Sequence, residues 1–285
     1  MLISERIGQF FLVSETGRDR LEYTEYGAGD AWVVLLPGQL VPRRMQQPLA
    51  RALAAEGLHV VTLDLLGHGR SDRPADAHAY SMTAWAEQVI ALLDHLGAPQ
   101  AVIGGTSLGA NVSLEVAVLA PERVRGLVVE MPVLDNALEA GIIAFGSLML
   151  AARYLPFTVN GVRRLTRPVP RGVVPFWAGI ALDTCDQRAD AMAALLHGLF
   201  FGRAAPSSRE RRRITVPALV VGHPFDPVHP LADAAMLADE MPRATLLRSR
   251  SALEWRLHPE RLDRAAIELA TTCWKTPRRH RRTAT

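Results

Sequence analysis

A Gly-x-Ser-x-Gly pentapeptide, GTSLG at residues 105–109, constrains this chain more than any other feature. The apolar run at 101–104 predicts a buried strand before it, and residues 110–117 predict a helix after it. A serine in a tight turn from strand to helix is typical of a nucleophile elbow, although a pentapeptide alone also fits a purely structural turn. The glycines leave room for the turn against its neighbours. We therefore predict that the Ser107 hydroxyl stands clear of the sheet, beside the amide of Leu108 and the positive end of the helix.

Apolar runs alternate with amphipathic helical patterns along most of the chain, which predicts a parallel sheet covered on both faces. The alternation stops at residues 131–215, where the pattern predicts helices and loops, and then resumes. We therefore predict an α/β fold with a doubly wound, mostly parallel sheet formed by residues 1–130 and 216–274, and a helical lid at 131–215 inserted before the last two strands. The predicted strands are 21–26, 31–36, 60–64, 101–104, 127–130, 218–222 and 245–247, and the predicted helices are 45–55, 84–96, 110–117, 231–240 and 259–273.

The order of these motifs resembles the α/β-hydrolase superfamily over nearly the whole chain. The apolar strand that ends in Pro37-Gly38-Gln39 stands where that family has its oxyanion loop, and GHGRSD at 67–72 resembles the loop after the next strand. Asp226, within GHPFDPVHP at 222–230, matches the acid that follows the strand after the lid. Pro37 departs from the histidine that is more usual at its place in the family.

The resemblance implies a role for several residues. Ser107 would be the nucleophile, Asp226 would orient a histidine base, and the amides of Gln39 and Leu108 would hold the oxyanion. Glu130 ends a strand at a place where some relatives keep an alternative acid; with Asp226 present, we predict that it supports the site or lines the pocket. His68, in the GHGRSD loop, is predicted to be structural.

The histidine base is missing from its usual place. In the family it follows the last strand, about seven residues before a Pro-Glu pair, and here that count ends at Ser251-Ala252. His258 is the nominal candidate, although it comes six residues later and also fits a plain residue before a helix-opening proline. His229, His223 and His197 are alternatives, each of which also fits a structural role.

Three functions are compatible with this pattern. The first is a cofactor-independent hydrolase of an ester, thioester or activated C–C bond in a small apolar or aromatic substrate. The second is a catalytically degenerate relative that binds a ligand without a triad histidine, and the third is a lyase or isomerase that uses the oxyanion hole. We expect no cofactor and no metal, since no dinucleotide, phosphate-loop or metal-ligand motif is found. The predicted pocket residues are Leu40, Met131, Phe176, Trp177 and Phe200.

The charge distribution argues against nucleic acid as a partner. Five of the basic residues that give the net charge of +3 lie in residues 275–285, and the rest of the chain is slightly acidic. We predict that this segment is a disordered basic tail. Cys185 and Cys273 match no pairing motif, the N-terminus lacks the pattern of a secretory signal, and the longest apolar stretch is too short for a membrane span. These features predict a cytoplasmic protein; the oligomeric state stays open.

Overall fold

The computed structural model describes residues 3–14 and 17–275, and at its centre is an eight-stranded sheet. The strands are β1 (Glu5–Ser14), β2 (Gly17–Tyr26), β3 (Trp32–Leu36), β4 (His59–Leu63), β5 (Ala101–Thr106), β6 (Val124–Glu130), β7 (Ala218–Gly222) and β8 (Ala244–Arg248). Their order is β1-β2-β4-β3-β5-β6-β7-β8. The β1–β2 and β2–β4 pairs are antiparallel, and the other pairs are parallel. The predicted mostly parallel α/β sheet is confirmed.

Helices cover both faces of this sheet. On one face Leu53 packs with Leu262, and on the other Trp85 and Leu92 pack with Leu114. The strands β3, β4, β5 and β7 are covered in this way and buried along their whole length, which is why they are continuous apolar runs in the sequence. The helices are α1 (Gln47–Ala55), α2 (Met82–His95), α3 (Leu108–Leu119), α4 (Leu138–Tyr154), α5 (Pro156–Thr166), α6 (Phe176–Thr184), α7 (Ala189–Phe201), α8 (Ser208–Arg211), α9 (Leu231–Glu240), α10 (Glu254–Leu257) and α11 (Glu260–Lys275).

The sequence pattern does not predict β1, which lies at the edge of the sheet. It pairs only with β2, from Glu5 opposite Tyr26 to Ser14 opposite Gly17. Ile7 and Val13 on this strand are 69% and 82% exposed, so burial does not impose the alternation that marks an inner strand. The predicted basic tail lies outside the described residues, except that Lys275 ends α11.

The segment predicted as a lid contains α4 to α8 and lies between β6 and β7. Phe145, Leu148 and Met149 of α4 pack against the core cluster that covers one face of the sheet. Among the described residues, no single helix is long and apolar enough to cross a membrane. The α4–α5 pair reaches that length only together, and it is bent by 98°.

Backbone strain is concentrated at the carboxyl edge of the sheet. Among the described residues other than glycine, φ is positive at Leu40 (62°), Ser107 (55°), Met131 (55°) and Phe225 (60°). These residues follow β3, β5, β6 and β7, which are consecutive strands in the order of the sheet. Left-handed φ values are unfavourable for side chains of this size and tend to cluster at functional sites. The four strained residues therefore point to a functional site at this edge of the sheet.

Candidate active site

The predicted elbow is a sharp turn between β5 and α3. A Cβ at Gly105 would lie 2.4 Å from the carbonyl carbon of Gly109, and a Cβ at Gly109 would lie 2.6 Å from the carbonyl oxygens of Leu36 and Pro37. Both positions therefore require glycine. The amide of Ser107 donates to the carbonyl of Glu130 at 2.9 Å, which ties the turn to the end of β6.

The Ser107 hydroxyl meets an imidazole. Its Oγ lies 2.8 Å from Nε2 of His229, and Nδ1 of His229 lies 3.1 Å from Oδ1 of Asp226. Because a carboxylate only accepts, the hydrogen of the neutral ring belongs on Nδ1, which leaves Nε2 free to accept the serine proton. The three side chains therefore form a serine–histidine–aspartate relay.

Asp226 and His229 belong to one short loop between β7 and α9. Oδ1 of Asp226 accepts from the amides of Val228 and His229, each at 2.8 Å, which closes an Asx-type turn and presents the imidazole three residues later. Burial by itself raises the pKa of the Asp226 carboxyl. The hydrogen bonds from the His229 ring and from the two amides outweigh burial and hold this pKa at about 2.

The two amides predicted for the oxyanion are available. Neither the N–H of Gln39 nor that of Leu108 has an acceptor among the described residues. Leu108 is the first residue of α3, so its amide lies at the positive end of the helix dipole. A side chain at position 38 would not clash with the protein. A Cβ on Gly38 would lie 3.6 Å from the Thr106 carbonyl oxygen and 3.9 Å from Ser107 Cβ, which are ordinary contact distances.

Comparisons with known proteins agree with this architecture. The family model of the α/β-hydrolase fold matches residues 31–169. The structure of a thermophilic esterase from Thermogutta terrifontis, with malate bound, superposes with a TM-score of 0.74 at 22% identity, covering 94% of this chain and 99% of that one. The chain has the α/β-hydrolase fold.

Curated relatives share shorter or more divergent stretches. A 2-hydroxymuconate semialdehyde hydrolase from Pseudomonas putida is 48% identical over 69 residues, or 24% of each chain. A 3-oxoadipate enol-lactonase 2 from Acinetobacter baylyi is 25% identical over 227 residues, 79% of this chain and 83% of the relative. The match to the first therefore spans about a quarter of that relative's length.

The fold does not bring His258, the nominal base, to Ser107. His258 lies exposed between α10 and α11, where its amide donates to the carbonyl of Glu254 at 2.7 Å. The intervening residues coil into α10 instead of extending toward the serine, which removes the reach that His258 would need. His197 packs instead against Phe201 of the same helix, with ring centroids 4.4 Å apart. The imidazole that contacts Ser107 is that of His229, which follows β7 and not β8.

The fourth candidate, His223, takes part in a second polar cluster beside the elbow. Its Nε2 lies 3.1 Å from Oε1 of Glu130, at an oblique angle, and its Nδ1 lies 3.2 Å from the Ser251 carbonyl oxygen. Arg256 contacts the other oxygen of Glu130 at 2.7 Å, and the Thr106 hydroxyl donates to that oxygen as well. Burial raises the pKa of the Glu130 carboxyl, and the charge of Arg256 with the His223 and Thr106 contacts outweighs burial, so that the pKa is about 2. Glu130 is therefore an ionised group that accepts a hydrogen bond from Thr106, the residue directly before Ser107.

The five predicted pocket residues lie in different parts of the structure. Leu40 and Met131 lie at the strained carboxyl edge, next to the elbow strand. Phe176 packs edge-on against Trp177, whose indole donates to the Arg256 carbonyl at 2.9 Å, and Phe200 packs against the core. The structure thus ties Trp177 to the Glu130–Arg256 cluster; the role of all five residues in a pocket stays a prediction.

His68 lies in the GHGRSD loop and is fully buried. Its Nδ1 contacts the Leu66 carbonyl oxygen at 3.0 Å, and its Nε2 has no partner among the described residues. Burial lowers the pKa of this imidazole to about 4. The ring is therefore neutral and shapes the loop, in agreement with the structural role predicted for it.

Proposed function

We propose that this chain is a cofactor-independent serine hydrolase of the α/β-hydrolase fold, with Ser107 as nucleophile, His229 as general base and Asp226 as the acid that orients it. The observation that carries the proposal is the 2.8 Å separation between Ser107 Oγ and His229 Nε2, backed by the Asp226 carboxylate on the opposite ring nitrogen. An unactivated serine hydroxyl is a poor nucleophile at neutral pH, so an imidazole at this distance is the group that the chemistry requires.

The reaction follows from the positions of these groups. His229 Nε2 takes the hydroxyl proton as Ser107 Oγ attacks the substrate carbonyl, and Asp226 stabilises the imidazolium that forms. The free amides of Gln39 and Leu108 donate to the oxyanion. His229 then passes the proton to the leaving group, and an acyl-Ser107 ester remains. A water molecule, deprotonated by the same imidazole, hydrolyses this ester and restores the serine.

The substrate class is a small apolar or aromatic ester, thioester or compound with an activated C–C bond. Two features support this choice: the relatives are named as a semialdehyde hydrolase, an enol-lactonase and an esterase, and apolar residues dominate the segment between β6 and β7 that we propose as a lid. Ser107 is only 8% exposed, so a lid that opens would control access to it.

Labelling with a fluorophosphonate probe tests the proposal. We expect modification of Ser107 in the full chain, located by mass spectrometry, and none in Ser107→Ala. The decisive pair is His229→Ala and His258→Ala: the first should lower the rate of labelling by about 10⁴-fold, and the second should leave it unchanged. Circular dichroism of each variant controls for folding.

The other outcomes identify the rival functions. If the folded protein is not labelled but still binds apolar dyes, it is a ligand-binding relative and the hydrolase proposal fails. Turnover of a carbonyl substrate that survives Ser107→Ala would indicate a lyase or isomerase that uses the oxyanion hole alone. Labelling that is lost in His258→Ala and kept in His229→Ala would refute the assignment of the base.

A further inference from the structure

The segment between β6 and β7 exposes an unusual amount of apolar surface. Ten of the eighteen large hydrophobic side chains that are exposed in the described part of the chain lie between residues 138 and 173. They are concentrated where α4 meets α5: Tyr154, Leu155 and Phe157 are 71%, 47% and 73% exposed. A contiguous exposed apolar surface of this kind in a folded domain marks an interaction site.

Both helices present one face to the core and an apolar face outward. Phe145, Leu148 and Met149 of α4 pack inward, whereas Ile143, Leu150 and Tyr154 follow one another at helical spacing on the opposite side. On α5, Leu165 lies two turns beyond Phe157 and is 79% exposed. We call these outward residues the corner surface; it consists of Ile143, Leu150, Tyr154, Leu155, Phe157 and Leu165.

The charges within the two helices of the corner surface are mostly basic. Between residues 138 and 167 there is one acid, Glu139, and there are four arginines. Arg163 is paired with Asp186, but Arg153, Arg164 and Arg167 are exposed and have no carboxylate partner among the described residues. Aromatic and aliphatic side chains next to unpaired arginines are the composition of helices that lie in the interface of an anionic membrane.

The bend between the two helices also suits an interface. α4 and α5 are bent by 98° at Leu155, so they do not form one straight rod, and their shared corner projects Tyr154 and Phe157 from the surface. Such a corner can insert its side chains to the depth of the lipid headgroups while the arginines meet the phosphates. A two-fold contact with a second copy of this chain would instead bring the arginines of both copies together, which costs free energy.

We propose that the corner surface docks on anionic lipid bilayers. The proposal is independent of the catalytic assignment. It identifies the partner as the negatively charged lipid–water interface, entered by the apolar side chains of the corner and held by Arg153, Arg164 and Arg167.

Sedimentation with vesicles tests it. The full chain should sediment with phosphatidylcholine vesicles that contain phosphatidylglycerol and much less with phosphatidylcholine alone, and added salt should weaken the binding. The double variant Phe157→Ser/Leu165→Ser should lower the vesicle partition coefficient about tenfold or more. The matched control is Ile7→Ser/Val13→Ser, which removes equally exposed apolar side chains from the edge strand β1 and should bind as the wild type does.

A second double variant tests the contribution of the arginines to vesicle binding. Arg153→Glu/Arg164→Glu should reduce binding to anionic vesicles about tenfold or more, with little effect on phosphatidylcholine. All variants keep the basic residues after Lys275, so any binding through these residues is common to all of them. Circular dichroism shows whether each variant is folded, and fluorophosphonate labelling of Ser107 tests the hydrolase proposal separately.

Three results would overturn the proposal. Vesicle binding that is unchanged in Phe157→Ser/Leu165→Ser would place the contact elsewhere, and absence of binding by the wild type would remove the partner altogether. Sedimentation velocity supplies the third: a dimer that becomes a monomer in the same variant, without vesicle binding, would show that a second copy of the chain covers the corner surface.

Discussion

The carboxyl edge of the sheet carries two carboxylate–imidazole pairs, Asp226–His229 and Glu130–His223, which differ in what faces the second ring nitrogen. In His229 one nitrogen faces a carboxylate and the other faces the Ser107 hydroxyl. In His223 one nitrogen faces a carboxylate and the other faces the Ser251 carbonyl oxygen, so a hydrogen-bond acceptor faces each of the two ring nitrogens. Only the first arrangement leaves a lone pair that can take a proton from a nucleophile.

The surroundings of the two pairs differ as well. The side chains of His229 and Asp226 are 15% and 12% exposed, whereas those of His223 and Glu130 are 1% and 4% exposed. Glu130 is further neutralised by Arg256, and Asp226 has no arginine in its contacts among the described residues. We propose that a carboxylate and an imidazole form a working base in the first pair and a fixed support in the second, and that the neighbouring groups decide which.

Replacing the acid of the first pair should have the largest effect. Asp226→Asn keeps an oxygen that can accept the amides of Val228 and His229, so the loop should fold, but the amide no longer fixes the Nδ1–H tautomer or stabilises the imidazolium. We expect the rate of fluorophosphonate labelling at Ser107, and the kcat on an aryl ester, to fall by about 10³–10⁴-fold. Asp239→Asn, an exposed carboxylate on α9, is the matched control. A loss of less than tenfold would mean that Asp226 does not orient the base.

Replacing the acid of the second pair should act on stability instead. Glu130→Gln leaves Arg256, which is only 18% exposed, without its counter-charge, and we expect the free energy of unfolding to fall by about 3 kcal/mol. Urea unfolding at neutral pH measures this. Glu56→Gln, at an exposed carboxylate after α1, should change the value by less than about 0.5 kcal/mol. Labelling of Ser107 under native conditions should fall far less than in Asp226→Asn; an equal fall would show that the two pairs are not functionally distinct.

Much of this edge could be predicted from sequence because its parts stand in short motifs at strand ends. Ser107 follows an apolar run and precedes a helix, and Asp226 follows the strand after the long insertion. A doubly wound, mostly parallel sheet, with the elbow at the end of one of its strands, then follows from the rules for such sheets. The edge strand β1 could not be found in this way, because one-sided pairing and exposure leave no clear alternation in its residues.

The proposed base, His229, could not be assigned from sequence because the reach of its side chain depends on loop geometry. The Asx-type turn at Asp226 folds the chain back so that His229, three residues later, meets both the carboxylate and the serine. An Asp-x-x-His spacing before a helix is the signal that would have favoured it over His258. The helices between β6 and β7 were equally hard to delimit, since α4 is apolar on its exposed face as well as on its buried one.

His68 is a third imidazole, which is buried without a carboxylate partner. Of the replacements considered, His68→Gln should have the smallest effect, and that effect is on the pH dependence of stability. The pKa of the His68 ring is lowered to about 4 by burial. The unfolded chain therefore binds a proton between about pH 6.5 and pH 4 that the folded protein does not, so stability falls as the pH falls through this window. We expect His68→Gln to reduce the loss of unfolding free energy between pH 7.5 and pH 5 by about 2 kcal/mol. Urea unfolding at both pH values measures the difference.

The control is Ser71→Ala, which removes a hydroxyl that donates to the Asp64 carbonyl oxygen in the same loop. It should lower stability at both pH values and keep the wild-type slope of unfolding free energy against pH. An unchanged slope in His68→Gln would show that this ring takes up its proton alike in the folded and unfolded states, and that burial without a carboxylate does not hold it neutral.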